Sequence, residues 1–306
     1  MGRIGKLAAK TAKFFTDPQA RFLFLAKCGL YNGLSDEQYL KKKFKIMMGY
    51  ELNLACPKTF NEKLQWLKLH NRRPEYTMMV DKYKVREYIA DKLGEEYLIP
   101  LLGVWDDPDE IDFDKLPNQF VLKCNHNSGL GMCICKDKSK LDISAVKKGL
   151  RKGLEQDYFL PGREWPYKNV PRKIICEKYM KMEGCSELTD YKYMCFNGKV
   201  KCVFVCSERF SADGLKITIF DRNWSALPVK RDYLKSDKNI PMPKFHHKMM
   251  ELAEVLSEGI PFIRVDFYEI NNHIYFGELT FFPASGFEKF TPEEWDYKLG
   301  EWISLA

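Results

Sequence analysis

The hydrophobic positions of this chain follow helical spacing at its start and again between later strand-like segments. Apolar residues recur every three or four positions over 36–48 and 59–70, which predicts a helix in each segment. Thr59 and Glu62 have the spacing of a capping box at the start of the second helix. The same periodicity predicts further helices over 76–94 (ended by Gly94), 141–156, 244–258 and 292–303.

The other segments alternate apolar and polar residues and predict β-strands. In chain order these strands cover 98–104, 119–124, 132–136, 173–180, 190–196, 199–206, 215–220, 262–270 and 273–280. Asn197-Gly198 is a two-residue hairpin turn, and Asn271-Asn272 joins the last two strands. The pattern therefore predicts a mixed α+β fold built from antiparallel hairpins.

The composition agrees with a folded globular chain, because 45% of the 306 residues are hydrophobic and 30% are charged. The net charge of +7 favours acidic partners such as nucleotide phosphate, acidic sugar, nucleic acid or anionic lipid, although an excess of solvated lysines gives the same value. None of the ten cysteines forms a C-x-x-C pair, and several lie in apolar strands. We therefore expect reduced thiols and a cytoplasmic location.

The N-terminal segment has a basic amphipathic pattern. Its basic residues are Lys6, Lys10, Lys13, Arg21 and Lys27, and its apolar residues are Leu7, Phe14, Phe15, Phe22, Phe24 and Leu25. The apolar run is too short for a signal peptide, and no stretch approaches the roughly 20 apolar residues of a transmembrane helix. Such a helix packs on its own domain, which we favour, or lies on an anionic membrane face as a peripheral contact.

A glycine-containing hairpin carries the first candidate site. The strand 119–124 places Lys123 directly before a loop that contains Ser128, Gly129 and Gly131. A lysine at the end of a buried strand is unfavourable unless it meets an anion, and small residues let backbone N–H groups approach phosphate oxygens. The alternative is an exposed lysine beside a polar turn. The spacing is not that of a P-loop.

Two carboxylates in the apolar strands near the C-terminus form the second candidate site. Pairing about a turn at 271–272 places Asp266 and Glu278 opposite each other. Like charges on adjacent strands repel unless a cation lies between them, and Mg²⁺ bound to both carboxylates and to phosphate oxygens meets that requirement. The alternative is that one carboxylate faces solvent and the other pairs with Arg264 or a surface lysine.

Together and in this order, these segments resemble the ATP-grasp superfamily, and more narrowly its TupA-like branch, which is associated with teichuronopeptide and capsular polysaccharide biosynthesis. The resemblance covers about residues 35–303. The strings that carry it are Asn61 to Leu67, Asp81 to Arg86, Lys123 to Gly131, Asp190 to Lys192, Arg264 to Tyr268, and Gly277 to Thr280 continued through Gly286-Phe287.

The resemblance implies an ATP-grasp fold, in which two α+β subdomains clamp ATP between antiparallel sheets, preceded by a helical N-terminal segment. The implied division is 1–75 for the helical segment, 76–180 for the first subdomain with the nucleotide loop, and 181–306 for the second with the metal-binding hairpin. The Rossmann-like N-terminal domain usual in the superfamily is replaced by the helical segment, so the acceptor site cannot be transferred from relatives.

The resemblance also implies ATP and Mg²⁺ as cofactors. The implied catalytic residues are Lys123, Arg264 and Lys192. The implied nucleotide contacts are Lys123, Ser128, Gly129, Gly131, Glu177, Lys178, Tyr179 and Met180. The implied metal ligands are Asp266, Glu278 and Thr280, and Thr280 stands where many relatives have Asn, which weakens the second metal position.

The chemistry implied by the resemblance is that of a carboxylate-amine ligase. A substrate carboxylate attacks the γ-phosphate of ATP, and an amine then displaces phosphate from the acyl phosphate. The implied acid is a uronic acid of a surface polysaccharide or its precursor, the implied amine is an amino acid, and no nucleic acid takes part. Two alternatives remain: an ATP-dependent sugar or polysaccharide phosphotransferase on the same fold, and a basic binding protein without catalysis.

Overall fold

The strands of the computed structural model, which describes residues 14–182, 184, 187–209 and 211–305, form two antiparallel sheets. The first sheet has the order β1-β4-β2-β3 and consists of β1 (Leu101–Trp105), β2 (Phe120–Cys124), β3 (Cys133–Cys135) and β4 (Ile174–Lys178). The second has the order β7-β6-β5-β8-β9 and consists of β5 (Asp190–Phe196), β6 (Lys199–Ser207), β7 (Lys216–Asp221), β8 (Phe262–Ile270) and β9 (His273–Thr280). The predicted α+β class with antiparallel hairpins is confirmed.

Helices cover both ends of the chain and the connections between strands. They are α1 (Pro18–Lys27), α2 (Asp36–Met48), α3 (Phe60–His70), α4 (Glu75–Val80), α5 (Val85–Lys92), α6 (Ile143–Leu154), α7 (Phe159–Gly162), α8 (His246–Leu256) and α9 (Glu294–Glu301). The predicted capping box of α3 is confirmed, because Thr59 accepts from the Glu62 N–H and Glu62 accepts from the Thr59 N–H.

The helix predicted over 76–94 is two helices, because Asp81 interrupts it. The Asp81 carboxylate accepts hydrogen bonds from the backbone N–H groups of Tyr83 at 2.8 Å and Lys84 at 3.3 Å, which starts a new helix. The backbone N–H of Lys82 leaves the helical pattern and donates to the carbonyl of Asn125 at 3.1 Å. The break therefore ties this segment to the first sheet and fixes the position of Lys82.

The largest apolar core lies on the second sheet. Tyr76 of α4 and Ile89 of α5 are buried in the same cluster as Tyr193 and Phe267 of that sheet. The first subdomain drawn from the sequence, 76–180, thus contains two helices whose apolar side chains belong to the second sheet. Helical periodicity shows which face of a helix is apolar but does not show which sheet that face covers.

Asn61 links the start of α3 to the C-terminal part of the chain. Its Nδ2 atom donates to Asp296 at 2.8 Å and to the Glu288 carbonyl at 2.7 Å, and its backbone N–H donates to Asp296 at 3.0 Å. Burial raises the pKa of Asp296 to about 6, and the bonds from Asn61 oppose that rise. This buried pairing holds α3 and α9 together on the second sheet.

A β-bulge sets the register of the last hairpin. Both turn residues, Asn271 and Asn272, have positive φ, and regular pairing runs from the turn up to Phe267 opposite Phe276. Gly277 is then an extra residue, so Asp266 pairs with Glu278. If pairing stayed regular, Gly277 would lie opposite Asp266 and Glu278 would face the other side of the sheet, because a one-residue slip reverses every side chain.

The N-terminal helices form a small core of their own. Phe22 of α1 is buried against Tyr31 and Tyr39, so this part of the amphipathic segment packs on its own domain as expected. Leu23 and Phe24 are exposed by 47% and 56%. Lys6, Lys10, Lys13 and Leu7 lie outside the described residues. Within the described ranges, no helix combines the length and the apolar character needed to cross a bilayer.

We predict that Gly277→Ala destabilises the protein. A Cβ atom at this position would lie 3.1 Å from both the Asp266 carbonyl oxygen and a Tyr268 ring carbon, which crowds the bulge. The expected loss in the free energy of unfolding is about 1–3 kcal/mol, measured by urea denaturation. Gly149→Ala in α6 is the control, because a Cβ atom there would have no neighbour within 4 Å, and it should stabilise by about 0.5–1 kcal/mol. Equal stability of the two variants would contradict this account of the bulge.

Candidate functional site

An arginine bridges the two facing carboxylates of the last hairpin. Arg264 donates from Nε to Asp266 at 2.6 Å and from Nη2 to the same carboxylate at 2.8 Å, and Nη2 also bonds Glu278. The cation required between the two like charges is therefore supplied within the chain. Asp266 is buried, Glu278 is partly exposed and Arg264 is their partner, so the arrangement agrees with the alternative read from the sequence except that Arg264 pairs with both carboxylates.

Lys192 adds a second cation to the cluster. It lies on β5 directly opposite Asp266 of β8, and its Nζ atom bonds both Asp266 and, at 2.6 Å, Asp190. Burial and the charge of Arg264 oppose ionisation of Lys192, but the two carboxylates outweigh them and raise its pKa. Asp190 also keeps a buried Oδ1 atom without a hydrogen-bond partner. Three acidic side chains thus surround two basic ones at the centre of the sheet.

The two carboxylates that pair with Arg264 differ in protonation behaviour. Burial raises the pKa of Asp266 to about 6, although Arg264 and Lys192 act against it. Burial also opposes ionisation of Glu278, but the charges of Arg264, Lys82 and Lys192 outweigh it and lower its pKa to about 2. Because of this low pKa, Glu278 is negatively charged at neutral pH. Its side chain is 38% exposed.

Lys123 and Glu177 form an ion pair across the first sheet. Lys123 of β2 lies beside β4, and its Nζ atom is 2.6 Å from Glu177 Oε2. Arg86 of α5 approaches the other oxygen of Glu177 at 3.7 Å. Both basic side chains are largely buried, with 22% and 17% of their surface exposed. The space between the sheets is therefore bordered by two positive side chains, Lys123 and Arg86, and one negative side chain, Glu177.

Lys82 lies near both the carboxylate cluster and the Lys123–Glu177 pair. The sequence had given it no role. Its Nζ atom donates to the Asn127 carbonyl at 2.6 Å, and burial lowers its pKa while the charge of Glu278 acts against that shift. The Asp81 to Arg86 string is one of those that carry the family resemblance. The continuous helix expected there does not single out Lys82 as a side chain that reaches the cleft.

Hydrogen bonds fix the start of the glycine loop, and its end at Gly131 packs closely against α6. Asn125 donates to Asp81 and to the Pro171 carbonyl, both at 2.8 Å, which fixes the start of the loop. Gly129 and Gly131 have φ of +86° and +81°. A Cβ on Gly131 would lie 2.8 Å from the Gly149 carbonyl of α6, so a larger residue does not fit there.

A cavity of about 350 Å³ lies between the two sheets. Lys123 and Glu177 line it from the first sheet, and Tyr268 and Gly277 line it from the second. The end of β4 and the segment that follows it supply Lys178, Tyr179 and Met180 to the same wall. The volume lies within the usual range for small-molecule sites. This first cavity thus brings together the predicted lysine, the predicted acidic residue and the segment after β4.

A second cavity of about 330 Å³ lies on the other side of the carboxylate cluster. Arg264, Glu278 and Thr280 line it from β8 and β9, and Ser128 lines it from the glycine loop. The remaining lining residues come from α2, from the segment around α7 and from the turn after β9: Lys43, Tyr158, Pro161, Gly162, Glu164, Tyr167, Phe282, Pro283, Ala284 and Ser285, with Lys82 and Asn127 beside the loop. The two cavities share the cluster as their common wall.

The donor set at the cluster fits Mg²⁺. Hard divalent cations prefer carboxylate oxygens, and Asp266 and Glu278 face each other with part of Glu278 exposed to the second cavity. In the described part of the chain no group of three or more His, Cys, Asp or Glu side chains forms a ready metal site. Further ligands would therefore come from phosphate oxygens. Thr280 lines the cavity beside this pair.

A family model for TupA-like ATP-grasp proteins matches residues 62–304. The chain belongs to the TupA-like ATP-grasp family. The match covers α3 to α9 and both sheets, so the two-sheet arrangement is the ATP-grasp fold. It begins after α1 and α2, whereas the resemblance in sequence starts at about residue 35. No curated protein matches the chain in sequence.

Solved ATP-grasp structures are similar to this chain at low identity. The D-alanine–D-alanine ligase of Helicobacter pylori has 15% identity and a TM-score of 0.42, covering 81% of this chain and 70% of that one. The D-alanine–D-alanine ligase of Bacillus anthracis, complexed with ATP, has 15% sequence identity and a TM-score of 0.43. The similarity covers 74% of this chain and 63% of that one. A third structure is the biotin carboxylase domain of Hydrogenobacter thermophilus 2-oxoglutarate carboxylase in complex with MgADP, ADP and bicarbonate. It has 13% sequence identity and a TM-score of 0.40, and the similarity covers 74% of this chain and 46% of that one. The family match carries the assignment.

We predict that Lys82→Met weakens ATP binding without destabilising the fold. The variant removes a partly buried positive charge from the wall of the second cavity, so the KM for ATP should rise at least about tenfold. Its free energy of unfolding should change little, because the lost hydrogen bond to the Asn127 carbonyl is offset by the removed cost of desolvating the ammonium. Lys84→Met, an exposed change two residues away, should leave both quantities unchanged. Equal ATP KM values for the two variants would exclude this role for Lys82.

Proposed function

We propose that the protein is a Mg-ATP-dependent carboxylate-amine ligase that acts through an acyl phosphate. The observation that carries this proposal is the common wall of the two cavities. Arg264 and Glu278 line the second cavity, and the neighbouring Gly277 and Tyr268 line the first. A nucleotide in the first cavity would therefore present its terminal phosphate at the boundary, where an acid in the second cavity meets it.

The side chains of the chain would act by orientation and by charge. Lys123 and the N–H groups of the glycine loop, with Ser128, Gly129 and Gly131, would hold the phosphates, and Lys178 to Met180 would border the base. Lys192 and Arg264 would balance negative charge where the acyl phosphate forms. Mg²⁺, held by Asp266 and Glu278 beside Thr280, would neutralise phosphate charge. No nucleophilic side chain is needed, because the substrate carboxylate is the nucleophile.

The charges around the second cavity leave a small positive excess that suits an acidic substrate. Three basic side chains (Lys43, Lys82 and Arg264) line it against two acidic ones (Glu164 and Glu278), and the chain carries a net charge of +7. Together with the family resemblance, this supports a uronic acid of a surface polysaccharide or its precursor as the acid, and an amino acid as the amine. The amide product distinguishes this reaction from phosphotransfer to a sugar hydroxyl. Nucleic acid has no part in it.

We predict that hydroxylamine traps the acyl phosphate. Purified protein with Mg-ATP and a mixture of uronic acids should release ADP and form a hydroxamate when hydroxylamine is added. Glu278→Gln should lower this rate at least about 100-fold, because it removes an ionised carboxylate that would hold Mg²⁺ at the reacting phosphate. Glu251→Gln, an exposed change on α8, is the control and should leave the rate unchanged.

The alternatives give different results in the same assay. ADP release with a neutral sugar, without hydroxamate and without any requirement for an amine, would identify a phosphotransferase. ATP binding without ADP release under any of these substrates would contradict the ligase as proposed. Absence of nucleotide binding would contradict the assignment of the first cavity.

We also propose that the exposed face of α1 contacts an anionic membrane surface. Opposite the buried Phe22, this face presents Leu23 and Phe24 between the basic residues Arg21 and Lys27. Apolar side chains flanked by positive charges suit a surface that is negative outside and apolar beneath. The cytoplasmic location expected from the cysteines stays a prediction, and this contact would place the protein at the inner face of the membrane.

We predict that the protein co-sediments with phosphatidylglycerol vesicles and that salt weakens the binding. The double substitution Leu23→Ser with Phe24→Ser should abolish it, whereas Ile143→Ser, an exposed apolar residue of α6, should not. Equal binding to phosphatidylcholine vesicles would exclude the charge-based contact. Self-association that the double substitution removes, without vesicle binding, would assign the face to a second copy of the chain.

A further inference from the structure

The second cavity is bounded by a buried carboxylate without a close cation. Glu164 is 6% exposed and follows α7. Among the described residues, no basic side chain forms an ion pair with Glu164 within 4.0 Å, whereas Glu278 pairs with Arg264. Burial raises the pKa of the Glu164 carboxyl, and the charge of Lys68, a hydrogen bond with the Ser285 side chain, and the charges of Lys43 and Arg264 act against that rise. A buried carboxylate in this state favours a cationic ligand in the adjoining space.

The space beside Glu164 depends on a glycine. A Cβ atom on Gly162 would lie 2.7 Å from Glu164 Oε1 and would also collide with Ser285 Oγ. Glycine at this position therefore lets the Glu164 carboxylate and the Ser285 hydroxyl, which both line the cavity, pack directly against the backbone. Any side chain at position 162 would displace both groups from these positions.

A strained turn forms the adjacent wall. Ala284 and Ser285 have φ of +47° and +56°, a conformation that L-residues rarely adopt, and both line the cavity. Two buried side chains of α3 hold the turn: Gln65 donates to the Gly286 carbonyl at 2.6 Å and Lys68 donates to the Ser285 carbonyl at 2.7 Å. Strain of this kind persists where the surroundings enforce it, and it occurs preferentially at ligand sites.

The same cavity also offers a cation from α2. Lys43 is 7% exposed and lines the cavity together with Glu164. Its Nζ atom donates to the Pro161 carbonyl at 2.7 Å and lies 4.3 Å from the centre of the Phe287 ring. A ligand with an ammonium group and a carboxylate therefore matches both charged residues, whereas a simple amine matches Glu164 alone.

From this geometry we propose that the second cavity receives an amino acid as the amine substrate, with Glu164 on its ammonium group and Lys43 on its carboxylate. Glu164 then takes the proton that the ammonium must lose before attack. This inference rests on the proposed ligase function and assigns residues to its second half. Lys43 is a binding residue in this scheme, and Glu164 is a catalytic one.

The step balances in atoms and charge. The ammonium gives one proton to Glu164, and the free amine attacks the acyl carbon. The C–N bond forms, the C–O bond to phosphate breaks, and phosphate leaves with the bonding electron pair. The second proton lost from nitrogen goes to the leaving phosphate, and Glu164 releases its own proton to water. The products are an amide and inorganic phosphate.

The first test measures binding. Saturation-transfer NMR on the full chain with Mg²⁺ and a non-hydrolysable ATP analogue should show binding from a mixture of common amino acids. Glu164→Gln and Gly162→Ala should abolish it, and Lys43→Met should weaken it about tenfold or more. Glu155→Gln and Lys42→Met, exposed changes nearby, are the controls. Thermal unfolding checks that each variant is folded. Lack of amino-acid binding by the unmodified protein would overturn the proposal.

The second test distinguishes a role of Glu164 in amide formation from a role in the ATP-dependent formation of the acyl phosphate. Hydroxylamine is a neutral nucleophile near neutral pH and needs no base, so Glu164→Gln should keep hydroxamate formation close to the unmodified rate. Amide formation with the bound amino acid should fall at least about 100-fold. Loss of both reactions would show a structural role, and full retention of amide formation would show that another group takes the proton. Absence of hydroxamate from the unmodified protein would instead refute the proposed ligase function.

The pH dependence gives an independent check. Glu164 must be ionised to accept a proton, so the rate of amide formation should fall as the pH drops through its raised pKa. The Glu164→Gln variant should lack that decrease, and hydroxamate formation should not show it in either protein. An unchanged acid limb in the variant would overturn the assignment of Glu164.

Discussion

The pairing of Arg264 with two facing carboxylates is the constraint on which this site depends. Asp266 and Glu278 lie opposite each other on adjacent strands among apolar neighbours, where two negative charges repel strongly unless cations balance them. Arg264 and Lys192 provide that balance from the same sheet. The cluster therefore stays charged in the interior of the protein.

The position of this cluster would let one site serve both steps of the proposed reaction. A single wall of β8 and β9 separates the two cavities, and the bulge at Gly277 turns Glu278 toward the second cavity while the backbone of Gly277 remains at the first. A regular hairpin would place Glu278 on the opposite face of the sheet. One extra residue therefore determines that nucleotide phosphate and acceptor would meet at the same pair of carboxylates.

Most of the strands could be predicted because alternation and the Asn197-Gly198 and Asn271-Asn272 turns act locally. The facing of Asp266 and Glu278 could be predicted only approximately, since the turn fixes the register and the bulge then shifts it by one residue. Lys82 was missed because a side-chain cap by Asp81 breaks a helix that hydrophobic periodicity alone makes continuous. Glu164 was missed because its surroundings come from α2, α3, α7 and the turn after β9, which are far apart in sequence.

The two halves of the site also differ in how far family membership informs them. Lys123, Glu177, Asp266 and Glu278 all lie within the matched residues 62–304. Lys43 lies before that match, on a helix that packs as a separate small core against the rest of the chain. A change in α2 would alter the wall of the second cavity without touching the nucleotide side. In the proposed scheme the choice of amine substrate would depend on the N-terminal helices as well as on the ATP-grasp fold, and variants at position 43 should change substrate preference while ATP affinity stays constant.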